Sequence, residues 1–183
     1  LKSIKEKNPR AIILSGGPSS VFSNDAPDFD INILNTDIPI LGICYGLHLL
    51  VHHNGGKVNS TGKGEYGFAE VDFTKGNVIT EHMSISSNVW MSHMDQVTKV
   101  PDGWQIFAKS SNGVVAGLIN QKQDRIATQF HPELTREDNE MRYRTYWESY
   151  GNHLQAEDPV LSSLRESPET SMLLPRWAET LDK

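Results

Sequence analysis

The sequence predicts an α/β fold, a mostly parallel sheet flanked by helices with an extra antiparallel β layer. Two observations carry this. Residues 11–14 (AIIL) and 38–43 (IPILGI) are short, nearly unbroken apolar runs, the pattern of strands buried on both faces, and each ends in a turn or helix signal. From residue 68 to residue 130 the period shortens towards two and Gly and Asn turns recur, as in a series of half-exposed strands. Strand–helix units followed by a run of strands give a helix-covered sheet carrying an added β component.

Taken in order, residues 1–8 (LKSIKEKN) read as the end of a helix or an approach to one, closed by Pro9. The first strand ends in Ser15-Gly16-Gly17-Pro18, a strong turn signal. Cys44 follows the second strand directly. Residues 45–53 then have helical character, with Leu47, Leu50 and Val51 apolar. Gly55-Gly56 ends that helix, because glycine takes up a left-handed C-cap without strain. Strands are expected over 68–73, 88–91, 105–109, 114–119 and 125–130. The remainder turns polar and helical over 136–155 and 169–181, with Pro159 and Pro168 as breaks. Tyr143, Tyr146, Trp147 and Tyr150 form an aromatic stripe near helical spacing, expected to pack in the core. No internal repeat or low-complexity tract interrupts the chain, and its 183 residues fit a single domain.

Composition narrows the function classes. A hydrophobic share of 37% and a charged share of 22% fit a folded globule and not a disordered chain. The formal net charge is -6 and no Lys/Arg cluster stands out, so no nucleic acid and no membrane surface is expected as a partner. Cys44 is the one cysteine; it excludes an internal disulfide framework and fits a reducing, cytoplasmic setting. No apolar run reaches the ~18–20 residues of a membrane span, and the N-terminus has no signal pattern.

Three segments carry candidate chemistry. Gly42-Ile43-Cys44-Tyr45-Gly46 is a strand-to-helix turn of the nucleophile-elbow type, G-x-C-x-G, with glycines where the turn is tight. A thiol at a helix N-terminus meets the positive end of the helix dipole, which favours the reactive thiolate. The alternative is a buried cysteine acting as a small hydrophobe. His131-Pro132-Glu133 follows a strand at the edge where open α/β sheets bind ligands. His131 is a candidate base for Cys44, and Glu133 can reach the other ring nitrogen to orient it. The third segment, 15–18, offers backbone N–H groups to an oxyanion beside Cys44, or is an ordinary glycine-rich turn. His52, His53 and His82 read as surface or cap residues, and the four tryptophans as packing residues. No His, Cys, Asp or Glu grouping has metal-ligand spacing.

Six stretches, in order and at plausible spacing, resemble the class I glutamine amidotransferases: NPRAIILSGGPSSV, PILGICYGLHLL, GGKV, GEYGFAEV, VWMSHMDQV and QFHPEL. The EYG and WMSH-x-D segments point to the glutaminase domains of the GMP synthetases. The resemblance implies a flavodoxin-like amidotransferase domain over residues 1–183, with 1–134 matching the family, 135–168 an unmatched helical insert and 169–183 the final helix. It implies a Cys44–His131–Glu133 triad that hydrolyses glutamine to glutamate and ammonia. It further implies an oxyanion hole from the N–H groups of Gly17 and Tyr45, and substrate contacts at Gly16, His48, Ser92 and His93. Ammonia would serve the conversion of XMP to GMP on an ATP-dependent synthetase domain or subunit. No cofactor is expected here, since ATP and magnesium belong to that partner, and residues 1–183 hold no SGGxDS-like phosphate loop.

Departures from the family keep two alternatives in view. The family's first strand, helix and second strand precede the position matching Leu1, so the chain reads as a fragment whose central strand is missing. Glutamine usually stands at the position of His48 and glycine at that of Met94. A stand-alone hydrolase of another γ-glutamyl compound, or a catalytically weak binding or regulatory module of the same fold, fits these departures.

Overall fold

The computed structural model describes residues 1–81, 83–150 and 161–182; of residues 147–150, 168 and 169 it describes the backbone. The two apolar runs form strands β1 (Ile12–Leu14) and β2 (Ile40–Ile43), parallel and paired from Ile12–Ile40 to Leu14–Gly42. Pro39 has no N–H to donate, so the second strand begins just after it, while the Pro39 carbonyl accepts from the Ile12 N–H at 2.9 Å. β2 is buried at every residue, as its unbroken apolar run requires.

Five further strands complete the sheet: β3 (Lys57–Phe73), β4 (Ser86–Lys99), β5 (Trp104–Ser110), β6 (Val115–Asn120) and β7 (Arg125–Thr128). The order is β1-β2-β7-β6-β5-β3-β4. β7 lies parallel to β2, with Leu41 opposite Ile126, and every later pairing is antiparallel. The fold class therefore stands as an α/β mixed sheet, but the antiparallel strands extend the one sheet instead of forming a separate layer. β3 and β4 are 17 and 14 residues long, well beyond the expected 68–73 and 88–91. The first half of β3 (NSTGKG) is polar and glycine-rich, which hides its alternation, and the pairing shifts register between Ser60 and Glu65.

Helices cover both faces. Leu47, Leu50 and Val51 of α2 (Tyr45–His53) pack with Ile40, Val58, Leu118 and Ala127 on one side. Leu41, Ile43, Phe107 and Phe130 pack with Leu173 and Trp177 on the other. The expected helix over 169–181 divides at Met172 into α4 (Pro168–Ser171) and α5 (Leu173–Thr180), with Pro168 in the first turn, where its missing N–H is tolerated. In chain order α4 and α5 follow α1 (Lys2–Lys7), α2 and α3 (Arg136–Tyr150). α1 closes at Asn8, whose left-handed φ of 45° lets its N–H cap the last turn. α3 breaks its helical geometry at Tyr146 (φ −110°), and residues 151–155 of the expected helix lie outside the described residues. Of the aromatic stripe, Tyr143 packs with Trp90 and Leu164, whereas Tyr146 is half exposed. The side chains of Trp147 and Tyr150, and His82, lie outside the described residues.

Candidate functional site

β2 delivers the chain to Cys44, which adopts φ 52° and ψ −104° at the head of α2. A side-chain-bearing residue rarely takes this geometry unless its surroundings enforce it. Here the Cys44 N–H donates to the Thr128 carbonyl at 2.7 Å and its carbonyl accepts from the His48 N–H at 3.1 Å. Two glycines provide the clearance. A Cβ on Gly42 would stand 2.6 Å from the Gly46 carbonyl oxygen, and one on Gly46 only 2.0 Å from that of Leu14. The elbow closes directly onto the end of β1, which leads into residues 15–18.

His131 arrives just beyond β7, anchored by its N–H to the Trp90 carbonyl at 3.0 Å. The ring is buried and its Nδ1 lies 2.8 Å from Glu133 Oε1, while the Glu133 side chain is 32% exposed. Gly16 rests on both the His131 and Cys44 side chains: a Cβ there would be 3.1 Å from His131 Cε1 and 3.5 Å from Cys44 Cβ. Burial works against a charged His131, but the Cys44 thiol and the Glu133 carboxylate outweigh it and raise the ring to about 9. No hydrogen bond of ordinary geometry closes on Nε2 among the described residues, but the Cys44 sulfur stands near enough to favour the charged ring both as a hydrogen-bond acceptor and by its charge.

The other expected site residues gather round the same cavity, of about 610 Å³. Gly17 lies against the Tyr45 side chain, 3.8 Å from where its own Cβ would stand. The Ser92 carbonyl is 3.8 Å from Cys44 Sγ. His93 lines the cavity with both nitrogens engaged, Nε2 with Glu65 at 3.2 Å and Nδ1 with the Asp95 carbonyl at 3.0 Å. His48 also lines it, but Nε2 lies 2.9 Å from Gln129 Oε1, and burial pushes the ring towards its neutral form. Met94 stands on the cavity wall.

Several contributors escaped the sequence reading. Glu65 accepts from Ser110 at 2.8 Å and Asn112 at 2.9 Å as well as facing His93. Burial would raise its carboxyl, and the bonds from His93, Asn112 and Ser110 bring it below its ordinary value. Asp95 accepts a hydrogen bond from Ser20 and so ties the loop after β1 to β4. Arg142 and Tyr146 line the cavity from α3, so Tyr146 faces the cavity and not the core expected of the aromatic stripe, and Arg142 had no sequence signal. Gln129 is fully buried beside Cys44. Among the described residues no group of three or more His, Cys, Asp or Glu side chains is placed to hold a metal ion, and no helix is long and apolar enough to cross a membrane.

The family model for glutamine amidotransferase class-I matches residues 1–147, continuing past Leu134 into α3. A GMP synthase [glutamine-hydrolyzing] of Brachyspira hyodysenteriae is 46% identical over 74% of this chain and 26% of its own length. One from Aquifex aeolicus is 45% identical over 74% of this chain and 26% of its own length. The chain spans about a quarter of the length of these curated relatives. A glutamine amidotransferase from Thermotoga maritima shares the fold, with a TM-score of 0.76 at 20% identity over 92% of this chain and 77% of that one.

Proposed function

This chain belongs to the class I glutamine amidotransferase family, and on that premise we propose that it hydrolyses glutamine to glutamate and ammonia with Cys44, His131 and Glu133. The observation that carries the reading is the strained Cys44 elbow and the buried His131 at the wall of one cavity, with Glu133 holding the His131 ring from its far side.

Each step follows from that arrangement. With His131 held protonated, the sulfur is available as thiolate and attacks the side-chain amide carbon of glutamine. The N–H groups of Gly17 and Tyr45 receive the charge that develops on the amide oxygen. His131 gives its proton to the leaving nitrogen, the C–N bond breaks, and ammonia departs from a γ-glutamyl thioester on Cys44. Water then attacks the thioester as His131 takes its proton, releasing glutamate and restoring the thiolate. Glu133 stabilises the imidazolium and holds its orientation. Gly16, Ser92 and His93 border the space for the amino-acid end of the substrate, with His48 behind them.

The ammonia serves a synthetase domain or subunit that converts XMP to GMP with ATP and magnesium, in the cytoplasm. The names of the 46% and 45% identical relatives support this acceptor. Residues 1–183 act as one domain, with 135–168 an insert that reaches the cavity through Arg142 and Tyr146. A second reading, hydrolysis of a different γ-glutamyl amide, is favoured by His48, whose ring turns Nε2 to Gln129. The test is ammonia release from glutamine and from other γ-glutamyl amides, with and without an ATP-dependent GMP synthetase partner. A glutamine-analogue affinity label should map to Cys44 by mass spectrometry. Labelling elsewhere would overturn the assignment, and faster turnover of another amide would favour the second reading.

A further inference from the structure

We propose that Gln129 is a positioning residue for the nucleophile, its side-chain amide donating to Cys44 Sγ while His48 locks that amide from behind. The inference rests on Cys44 being the reactive thiol. Gln129 Nε2 lies 3.7 Å from Sγ and Gln129 Oε1 lies 2.9 Å from His48 Nε2. All three residues are buried: Gln129 is 0% exposed, His48 3% and Cys44 6%.

The protons in this chain are fixed by chemistry. A primary amide has one acceptor oxygen and one donor nitrogen. A thiolate accepts and cannot donate, so the NH₂ turns to sulfur and the oxygen faces His48. His48 Nε2 must then carry the hydrogen, which makes the neutral ring the Nε2–H tautomer. A bond to a charged acceptor is stronger than one between neutral groups, so the chain favours the thiolate over the thiol. The other ionisable groups lining the cavity with Cys44 are Tyr66, His93, Asp95, His131 (with Glu133 behind it), Arg142 and Tyr146; the Gln129 side chain bonds to His48 and Cys44.

The same geometry separates His48 from a simple substrate contact. Replacing it removes the donor that sets the amide, so the loss appears at the sulfur as well as in substrate affinity. Glutamine at this position restores a donor and is the conservative rescue.

The experiment follows alkylation of Cys44 by iodoacetamide against pH, which needs neither glutamine nor a synthetase partner. Gln129→Met keeps the volume and removes the donor. Its alkylation midpoint should move to higher pH by about one unit, with a roughly tenfold slower reaction at neutral pH. His48→Phe should move it the same way by less, and His48→Gln should bring it back. An unchanged midpoint in a folded Gln129→Met protein overturns the proposal. A wild-type thiol that does not alkylate overturns the nucleophile assignment itself, so the two failures are distinct. If the variant does not fold, the wild-type protein decides: the Gln129 side-chain amide protons should shift as the thiol titrates and stay fixed in Cys44→Ala. Absence of that shift in the wild type also overturns it.

Discussion

The two halves of the sheet divide the labour differently. In the parallel half, β1, β2 and β7 have three or four residues each, and the segments leaving their ends bring Gly16, Cys44 and His131 together. In the antiparallel half, β3 and β4 have 17 and 14 residues and contribute walls: Ser60, Tyr66, Ser92, His93 and Asp95. The short strands fix the proposed reacting groups by backbone geometry. The long hairpin holds its polar groups by hydrogen bonds, as Glu65 does with His93 across it and with Ser110 and Asn112 of the neighbouring strand and turn. Changes in the first half should therefore be read in the chemistry, and changes in the second chiefly in stability.

The largest expected effect breaks the parallel half at its nucleophile. Cys44→Ala should lower ammonia release by about 10⁴-fold or more with an unchanged circular dichroism spectrum. His131→Ala should cost ~10²–10⁴-fold, the usual worth of a positioned proton-transfer group, and Glu133→Gln less than that. Equal losses for these last two would show that Glu133 does more than orient the ring.

Next comes the clearance beneath the elbow. Because a Cβ on Gly46 would stand 2.0 Å from the Leu14 carbonyl oxygen, Gly46→Ala should destabilise the fold by about 3 kcal/mol. A denaturant titration measures it, and a wild-type midpoint would mean that β1 can move away from α2 at little cost. On the hairpin side, Glu65→Ala leaves the buried His93 and Ser110 donors, and Asn112 beside them, without their acceptor and should cost about 2 kcal/mol. Residual glutamine hydrolysis should fall far less than in His131→Ala; a comparable fall would erase the distinction between the halves.

The smallest effect is graded with pH. His131 in the folded chain is raised to about 9 from an ordinary value of 6.5. Its contribution to stability is therefore complete below about 6.5 and is lost as pH rises through about 9. Ammonia release should decline over the same alkaline limb as the proton donor is lost. In Cys44→Ala, which removes one of the two groups raising the ring, the His131 titration seen by nuclear magnetic resonance should move to lower pH.

Much of the parallel half was legible because its signals are local. The runs AIIL and ILGI, the glycines flanking Cys44 and the HPE tripeptide each lie within a few residues, and the fold brings Gly16, Cys44 and His131 together as that reading required. The first part of β3 was not legible, since its glycines and polar residues obscure the two-residue period and its partner strand supplies the order. Nor was Gln129: its contact with Cys44 joins residues 85 apart in the chain, and nothing near either residue announces it. Tyr146 was read as core packing because its aromatic neighbours recur near helical spacing, and Arg142 was missed because no sequence signal tells which face of α3 meets the cavity.

The hydrogen bond from the Cys44 N–H to the Thr128 carbonyl continues the β2–β7 ladder by one rung into the elbow. Cys44 is thus part of the sheet's own lattice and not a passenger on a loop. The spacing between Cys44 and His131, the proposed nucleophile and base, is inherited from the distance between neighbouring strands, a quantity that scarcely varies while the sheet is intact. Inactivation by heat or denaturant should accordingly coincide with loss of the whole sheet, because no smaller opening separates these two strand ends.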